Sequence, residues 1–296
     1  MGTAAILFLS LTPSFVLGRE GNRPTDIEAT PVRTSGPTLA LNNDQIRDLI
    51  RQASEHDLVN ERRQRDYTYV KQERTSRRNG KGELESVESR TYDVMFLYGE
   101  PVERLIARNG QRLSDNEAAK EEEKIQKLMN KRKNELEADR QTRMRTQEKD
   151  WLEEREFVLE IAEAFDFRLA GIESMDGQEA YVIDAEPRLG YRPRRKQANI
   201  LLKFRFRVWI DKAERQWVRF DAHFIDTLSF GWFVVRLHPG SYVSLKQTRI
   251  NDEVWLPRHV NVKIEARVAL LKNFKEDIDV AYSDYKKVRV HTRILP

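Results

Sequence analysis

From Lys203 to Asp211 the chain reads KFRFRVWID, with a bulky apolar residue at every second position. An extended backbone sends successive side chains to opposite faces. Phe204, Phe206, Val208 and Ile210 therefore share one face, and Lys203, Arg205, Arg207 and Trp209 the other. The same period returns in WVRFDAHFID, which groups Val218, Phe220, Ala222 and Phe224. It returns again in RHVNVKIEARVALL, which groups Val260, Val262, Ile264, Ala266 and Val268. SYVSLKQTRI and EDIDVAYSDY add two more strands, and the polar corners DKAERQ and NDEVWLP separate neighbours. A helix built from this text would scatter charge through its buried face. Successive strands on short turns instead make an antiparallel meander, apolar on one side and charged on the other.

The first half mixes element types. Asn42 or Asn43 can cap a helix starting at Asp44, whose apolar positions Ile46, Leu49, Ile50 and Ala53 recur at helical spacing. YTYVKQERTS and the stretch SVESRTYDVMFLYGEPVERLIARNGQRL have strand composition, broken near Gly99 and Pro101. From Ser114 to about Ala164 there is neither Gly nor Pro, and Ser114 with Glu117 forms a capping-box signature. One unbroken helix of that length would reach on the order of 75 Å, so it must bend, break or project. Apolar residues are few between Lys120 and Lys149 and keep no heptad, so residues 114–150 read as a mostly solvated, charged helical insertion rather than a coiled coil. From Trp151 onward the positions Trp151, Leu152, Phe157, Val158, Ile161 and Phe165 become amphipathic and are expected to pack on a sheet.

At the N-terminus, the apolar run AAILFLSLTPSFVL is too short to span a bilayer and suits a signal peptide, residues 1–18, although no Lys or Arg precedes it. Residues 19–41, rich in Pro, Gly, Thr and charge, read as a flexible leader, and residues 42–290 as a single domain. The expected location is periplasmic or secreted. The 296 residues hold 52 Lys and Arg against 48 Asp and Glu, too even a balance for general attraction to nucleic acid. The absence of cysteine excludes disulfides, thiolate metal sites and a lipidated N-terminal cysteine.

A search for catalytic chemistry finds no GxSxG elbow, phosphate-binding loop, HExxH, EF-hand loop or GxGxxG. No cofactor is implied and no enzyme is expected. Asp221 and His223 share a strand face, and His238 or His259 could lie nearby; a metal there competes with an ordinary wet sheet face, and the second reading is preferred. The acidic pair Asp252 and Glu253 in NDEVWLP reads as the tip of a hairpin, where nothing would shift a carboxyl toward general-acid work. RLGYRPRRKQ, residues 188–197, is a basic loop. It is either a solvated connection or a contact for anionic head groups through Arg192, Arg194, Arg195 and Lys196. Nucleic acid would require a stacking platform and is not expected.

Three stretches carry a family resemblance. DGQEAYVIDAEPR at 176–188, RVWIDKAERQWVRFDA at 207–222 and NDEVWLPRHVNV at 251–262 resemble the hairpins of LolA/LolB-like envelope proteins. That superfamily includes outer-membrane lipoprotein-sorting proteins and envelope-stress regulators of the RseB/MucB type. The resemblance covers roughly residues 165–285 and implies an α+β fold in which a curved antiparallel sheet, a half-open barrel, wraps helices around an apolar concavity. It further implies a lipid or lipoprotein acyl chain as partner, lined by Phe204, Phe206, Val208, Phe220, Phe224, Val262 and Ile264. Ordinary core packing accounts for the same residues. The charged insertion and the basic loop depart from the family and leave a second possibility, an envelope protein partner recruited through the charged helix.

Overall fold

The computed structural model of the protein describes residues 41–230, 235–268 and 272–288. The expected signal peptide, and all of the leader but Leu41, lie outside the described residues. Helix α1, Asn43–Gln64, starts where its sequence can close a capping box: the Asn42 side chain accepts the Gln45 N–H, and the Gln45 side chain accepts the Asn42 N–H, both at 2.9 Å. Its buried stripe is Ile46, Leu49, Ile50, Ala53 and Leu58.

Strands β1 (Tyr67–Asn79), β2 (Leu84–Leu97), β3 (Glu100–Arg108) and the two-residue β4 (Gln111–Arg112) follow as antiparallel neighbours. Tyr98–Gly99 and Asn109–Gly110 turn the chain with positive φ at both positions, as a two-residue hairpin turn requires. Helix α2 spans Asp115–Lys133 and helix α3 spans Glu137–Ala164. The Gly- and Pro-free stretch thus breaks at Asn134–Leu136 instead of running through. The C-terminal strands are β5 (Phe165–Met175), β6 (Gln178–Pro187), β7 (Phe204–Asp211), β8 (Trp217–Phe224), β9 (Leu228–Phe230), β10 (Val235–Leu237), β11 (Tyr242–Ile250), β12 (Val254–Val268) and β13 (Lys272–Lys287), with a 3-10 helix at Lys196–Lys203 before β7.

All these strands belong to one sheet in the order β4-β3-β2-β1-β13-β12-β11-β8-β7-β6-β5, with the β9–β10 hairpin attached beside the end of β12. β4 and β5 are its free ends, so the sheet curves without closing. The fold is α+β, a curved antiparallel sheet around helices. It is more than the simple meander of the repeats, because β1 pairs with β13 from Tyr67 opposite Lys287 to Asn79 opposite Phe274, joining the two halves of the chain.

Inside the curve, α1 packs on α3 and on β5, β8 and β12. The main core unites Ile46, Leu49, Ile50 and Ala53 of α1 and Ala162 and Ala164 of α3 with the apolar face of β5–β13. The alternation shifts at one point. Trp209 pairs with Arg219 but Ile210 pairs with Trp217, so Val218 is an extra residue in β8. This bulge turns Val218 to the outer face, with Trp209, Ala180 and Val182, and gives its place in the core to Trp217. Val218 therefore does not share a face with Phe220, contrary to strict alternation. At the start of the amphipathic stretch Leu152 is exposed, and at its end Phe165 opens β5 rather than ending the helix.

Candidate functional site

The concave face of β5–β8 is a wall of phenylalanine. Phe165 and Phe206 stack edge to face with ring centres 4.8 Å apart, Phe206 and Phe220 lie at 5.0 Å, Phe165 and Phe204 at 5.6 Å, and Phe204 and Phe224 at 6.1 Å. The wall continues across β11 and β12 through Val243, Leu245, Val260, Val262 and Ile264. Of the lining residues expected from sequence, Phe204, Phe206, Val208, Phe224, Val262 and Ile264 are buried in this one core. Phe220 belongs to it but is only partly buried. The structure thus brings all seven together, with α1 and α3 lying over the same wall.

The basic loop lies along the edge of the core and is tied to α3. Its Tyr191 ring packs on the core while the hydroxyl donates to Glu160 Oε1 at 3.0 Å. The same oxygen, on a side chain buried inside α3, accepts the backbone N–H of Arg194 at 2.8 Å. Arg195 pairs with Glu153 and Glu156 of α3, and Arg188 with Asp166 of β5. Arg192 and Arg194 are exposed at the surface. Lys196 begins the 3-10 helix. The expected head-group contacts therefore form a rim whose Tyr191 touches the apolar core and whose guanidinium groups face water and the acidic side of α3.

A buried polar line escaped sequence reading. Asn60 Nδ2 donates to Gln216 Oε1 at 2.8 Å, Gln216 Nε2 to Gln247 Oε1 at 3.1 Å, and Gln247 Nε2 to Asp57 Oδ1 at 2.9 Å. All four side chains are buried. A signal for it existed: the α1 stripe of Ile46, Leu49, Ile50 and Ala53 continues at helical spacing through Asp57 and Asn60, polar residues in buried register.

The remaining candidates sit on the outer face or at tips. Asp221 is held by Arg219 and by the Ser244 hydroxyl at 2.6 Å, and the His223 ring rests on Tyr242. Burial, followed by the charge of Arg205, lowers the His223 pKa. His259 meets Asp279 at 2.7 Å on a different pair of strands. Among the described residues no group of three or more His, Cys, Asp or Glu is placed to hold a metal ion. In NDEVWLP, Asn251, Asp252 and Glu253 form the tip of the β11–β12 hairpin, a turn closed from the Glu253 N–H to the Ile250 carbonyl at 3.1 Å, with φ of 51° and 55° at its two corner residues Asn251 and Asp252. Glu253 is held below the usual carboxylate range by Lys287 and by the Tyr67 hydroxyl, the reverse of what a general acid needs. Pro257 lies beside a bulge, where β12 tolerates the missing donor. No helix among the described residues is long and apolar enough to cross a membrane.

No protein-family model matches the chain, and no curated protein sequence does. Solved structures do. A DUF1329 family protein from Desulfovibrio piger is similar over 84% of this chain and 93% of its own, at 12% identity and a TM-score of 0.31. A putative outer membrane lipoprotein-sorting protein domain from Vibrio parahaemolyticus is similar over 83% and 95%, at 11% identity and a TM-score of 0.32. A LolA superfamily protein from Nitrosomonas europaea is similar over 87% and 96%, at 11% identity and a TM-score of 0.28. The solved structures similar to this chain thus include members of the family that its hairpin motifs resemble.

Proposed function

We propose that the chain is an exported, non-catalytic protein of the cell envelope that takes a lipid or lipoprotein acyl chain against its concave wall, in the manner of outer-membrane lipoprotein sorting. The observation that carries this reading is the adjacency of two surfaces. A continuous aromatic and aliphatic wall runs beneath two helices, and a loop with exposed Arg192 and Arg194 borders it through Tyr191. An acyl chain entering between helices and sheet would gain about 0.8 kcal/mol per buried methylene, and the guanidinium groups would orient its anionic head. On this reading the chain would enter beside Phe220, the partly buried member of the lining.

The test is mass spectrometry of solvent extracts from the mature chain, exported to a bacterial envelope and purified without detergent, beside an unrelated exported protein. Stoichiometric lipid absent from the control, and reduced in Phe220→Ala, is the expected result. An empty extract from well-folded protein defeats the carrier reading. A second reading then takes its place, favoured by α2, whose single buried residue is Ile125 and whose remaining surface is mainly charged and open. On that reading the insertion recruits an envelope protein. Deleting residues 118–148 would abolish recruitment, whereas a carrier would keep its lipid.

A further inference from the structure

Helix α2 sorts its charges by face. Steps of four, three and four residues bring Lys120, Lys124, Lys127 and Lys131 onto one line along it, about 16 Å from end to end. All four are exposed, the Lys124 side chain by 70% and that of Lys127 by 73%. The buried Ile125, and the Arg132 that reaches Glu100, lie on the side that rests on β3. Most acids are drawn away from the line. Glu117 pairs with Arg108 at 3.3 Å and Glu122 with Arg104 at 3.6 Å, both arginines belonging to β3. Glu121, only 15% exposed, turns inward beside Lys124, and Glu123 on the flank pairs with Lys127 at 2.7 Å. From Lys124 to Lys133 the helix holds five bases and no acid.

Helix stability alone does not account for this stripe. The helix dipole favours cations in the last turn, which covers Lys131 and Lys133 but fades before Lys120, Lys124 and Lys127. An ordinary solvated face mixes both signs, as α3 does up to Asp150, where Glu137, Asp139, Glu148 and Asp150 are exposed beside Arg140, Arg145 and Lys149. We propose that the lysine stripe of α2 is a docking surface for an anionic lipid bilayer. A protein partner of defined shape is gripped by aromatic anchors and bidentate arginines. Helix α2 has no aromatic residue, and its one arginine is spent on Glu100 and Glu135. Lysine is a point charge on a flexible stem, suited to a field of phosphates that offers charge without fixed geometry. Near such a surface each lysine multiplies binding about fivefold, and a straight stripe lets all four reach one plane together. The surface goes beyond the acyl-chain reading and does not rest on it.

Co-sedimentation of the mature chain with vesicles tests this, using phosphatidylcholine alone and phosphatidylcholine with about one third phosphatidylglycerol. Binding to the anionic vesicles only is expected, weakening steeply as salt screens the charges. Replacing Lys120, Lys124, Lys127 and Lys131 together by Gln should lower that binding at least ~10-fold, while replacing the same four by Arg should keep it. Should the fourfold Gln variant fail to fold, Lys120→Gln with Lys131→Gln must still weaken binding. No sedimentation with anionic vesicles, equal sedimentation with the neutral ones, or no effect of the Gln variants would each overturn the proposal. So would binding that survives the glutamines and falls instead with Arg192→Gln and Arg194→Gln, which would place the contact on the basic loop. If the stripe captures an acidic envelope protein and ignores anionic vesicles, the bilayer is the wrong partner. An empty lipid extract beside intact sedimentation would sink the carrier reading and leave the docking surface standing.

Discussion

Asp252 carries a φ of 55° next to Asn251 at 51°, and its side chain is 95% exposed. Left-handed backbone at both corner residues is what lets the tight turn closed by the Glu253 N–H and the Ile250 carbonyl follow the right-handed twist of β11 and β12. Aspartate tolerates that conformation, but glycine adopts it without a Cβ clash. Asp252→Gly should therefore stabilise the protein by ~0.5–1 kcal/mol, seen as a higher urea midpoint at unchanged slope. A lower midpoint would show that the acid contributes something beyond the turn. The tip was legible because turn chemistry is local. Val218 and Trp217 were not: alternation assumes one residue per pleat, and a bulge is decided by what each face can bury. Asp57 was missed for a similar reason, since its place in the buried stripe conflicts with its type and the conflict is resolved by Gln247 and Trp217 on distant strands.

The break between α2 and α3 falls at Asn134–Leu136, without glycine or proline to announce it. Its cause is a network of charges. Glu135 accepts two hydrogen bonds from Arg143 Nε and Nη2 and one from Arg132, while Arg132 Nη2 reaches Glu100 at 2.5 Å and Gln147 donates to the same Glu100 at 3.2 Å. Glu100 begins β3, so the elbow is fastened to the β2–β3 turn. Arg132, with a side chain only 14% exposed, holds two acids at once. Arg132→Ala should cost ~1 kcal/mol, lose much of that effect in high salt, and expose the elbow to limited proteolysis. Unchanged cleavage would mean that packing around Ile125 fixes the elbow without the charges. The capping box, the helix and its solvation were readable from Ser114, Glu117 and the scarcity of apolar residues. The elbow was not, because its decisive partner lies in another strand.

At the scale of the molecule, the sheet is two runs of neighbours joined by β1 and β13. β1–β4 is built from hairpins, and in β5–β8 two hairpins, β5–β6 and β7–β8, flank the longer connection of residues 188–203, whereas β1 meets β13 across most of the chain. The strands and their apolar face could be read from period two. The joining pair could not, since its register depends on elements far apart in sequence. That difference predicts an order of folding. Closing a short hairpin costs little chain entropy, while β1–β13 pairing requires the ends of the domain to meet and gains nothing until they do. During refolding from urea, pulse-labelled amides of β7 and β8 should become protected before those of residues 71–78 and 275–282. The fluorescence of Trp209 and Trp217, both buried in β7 and β8, should report the earlier phase. Simultaneous protection would mean that the sheet condenses as one unit around α1. Protection of β1 and β13 first would place the nucleus at the junction itself, and substitutions such as Val280→Ala would then slow folding rather than speed unfolding.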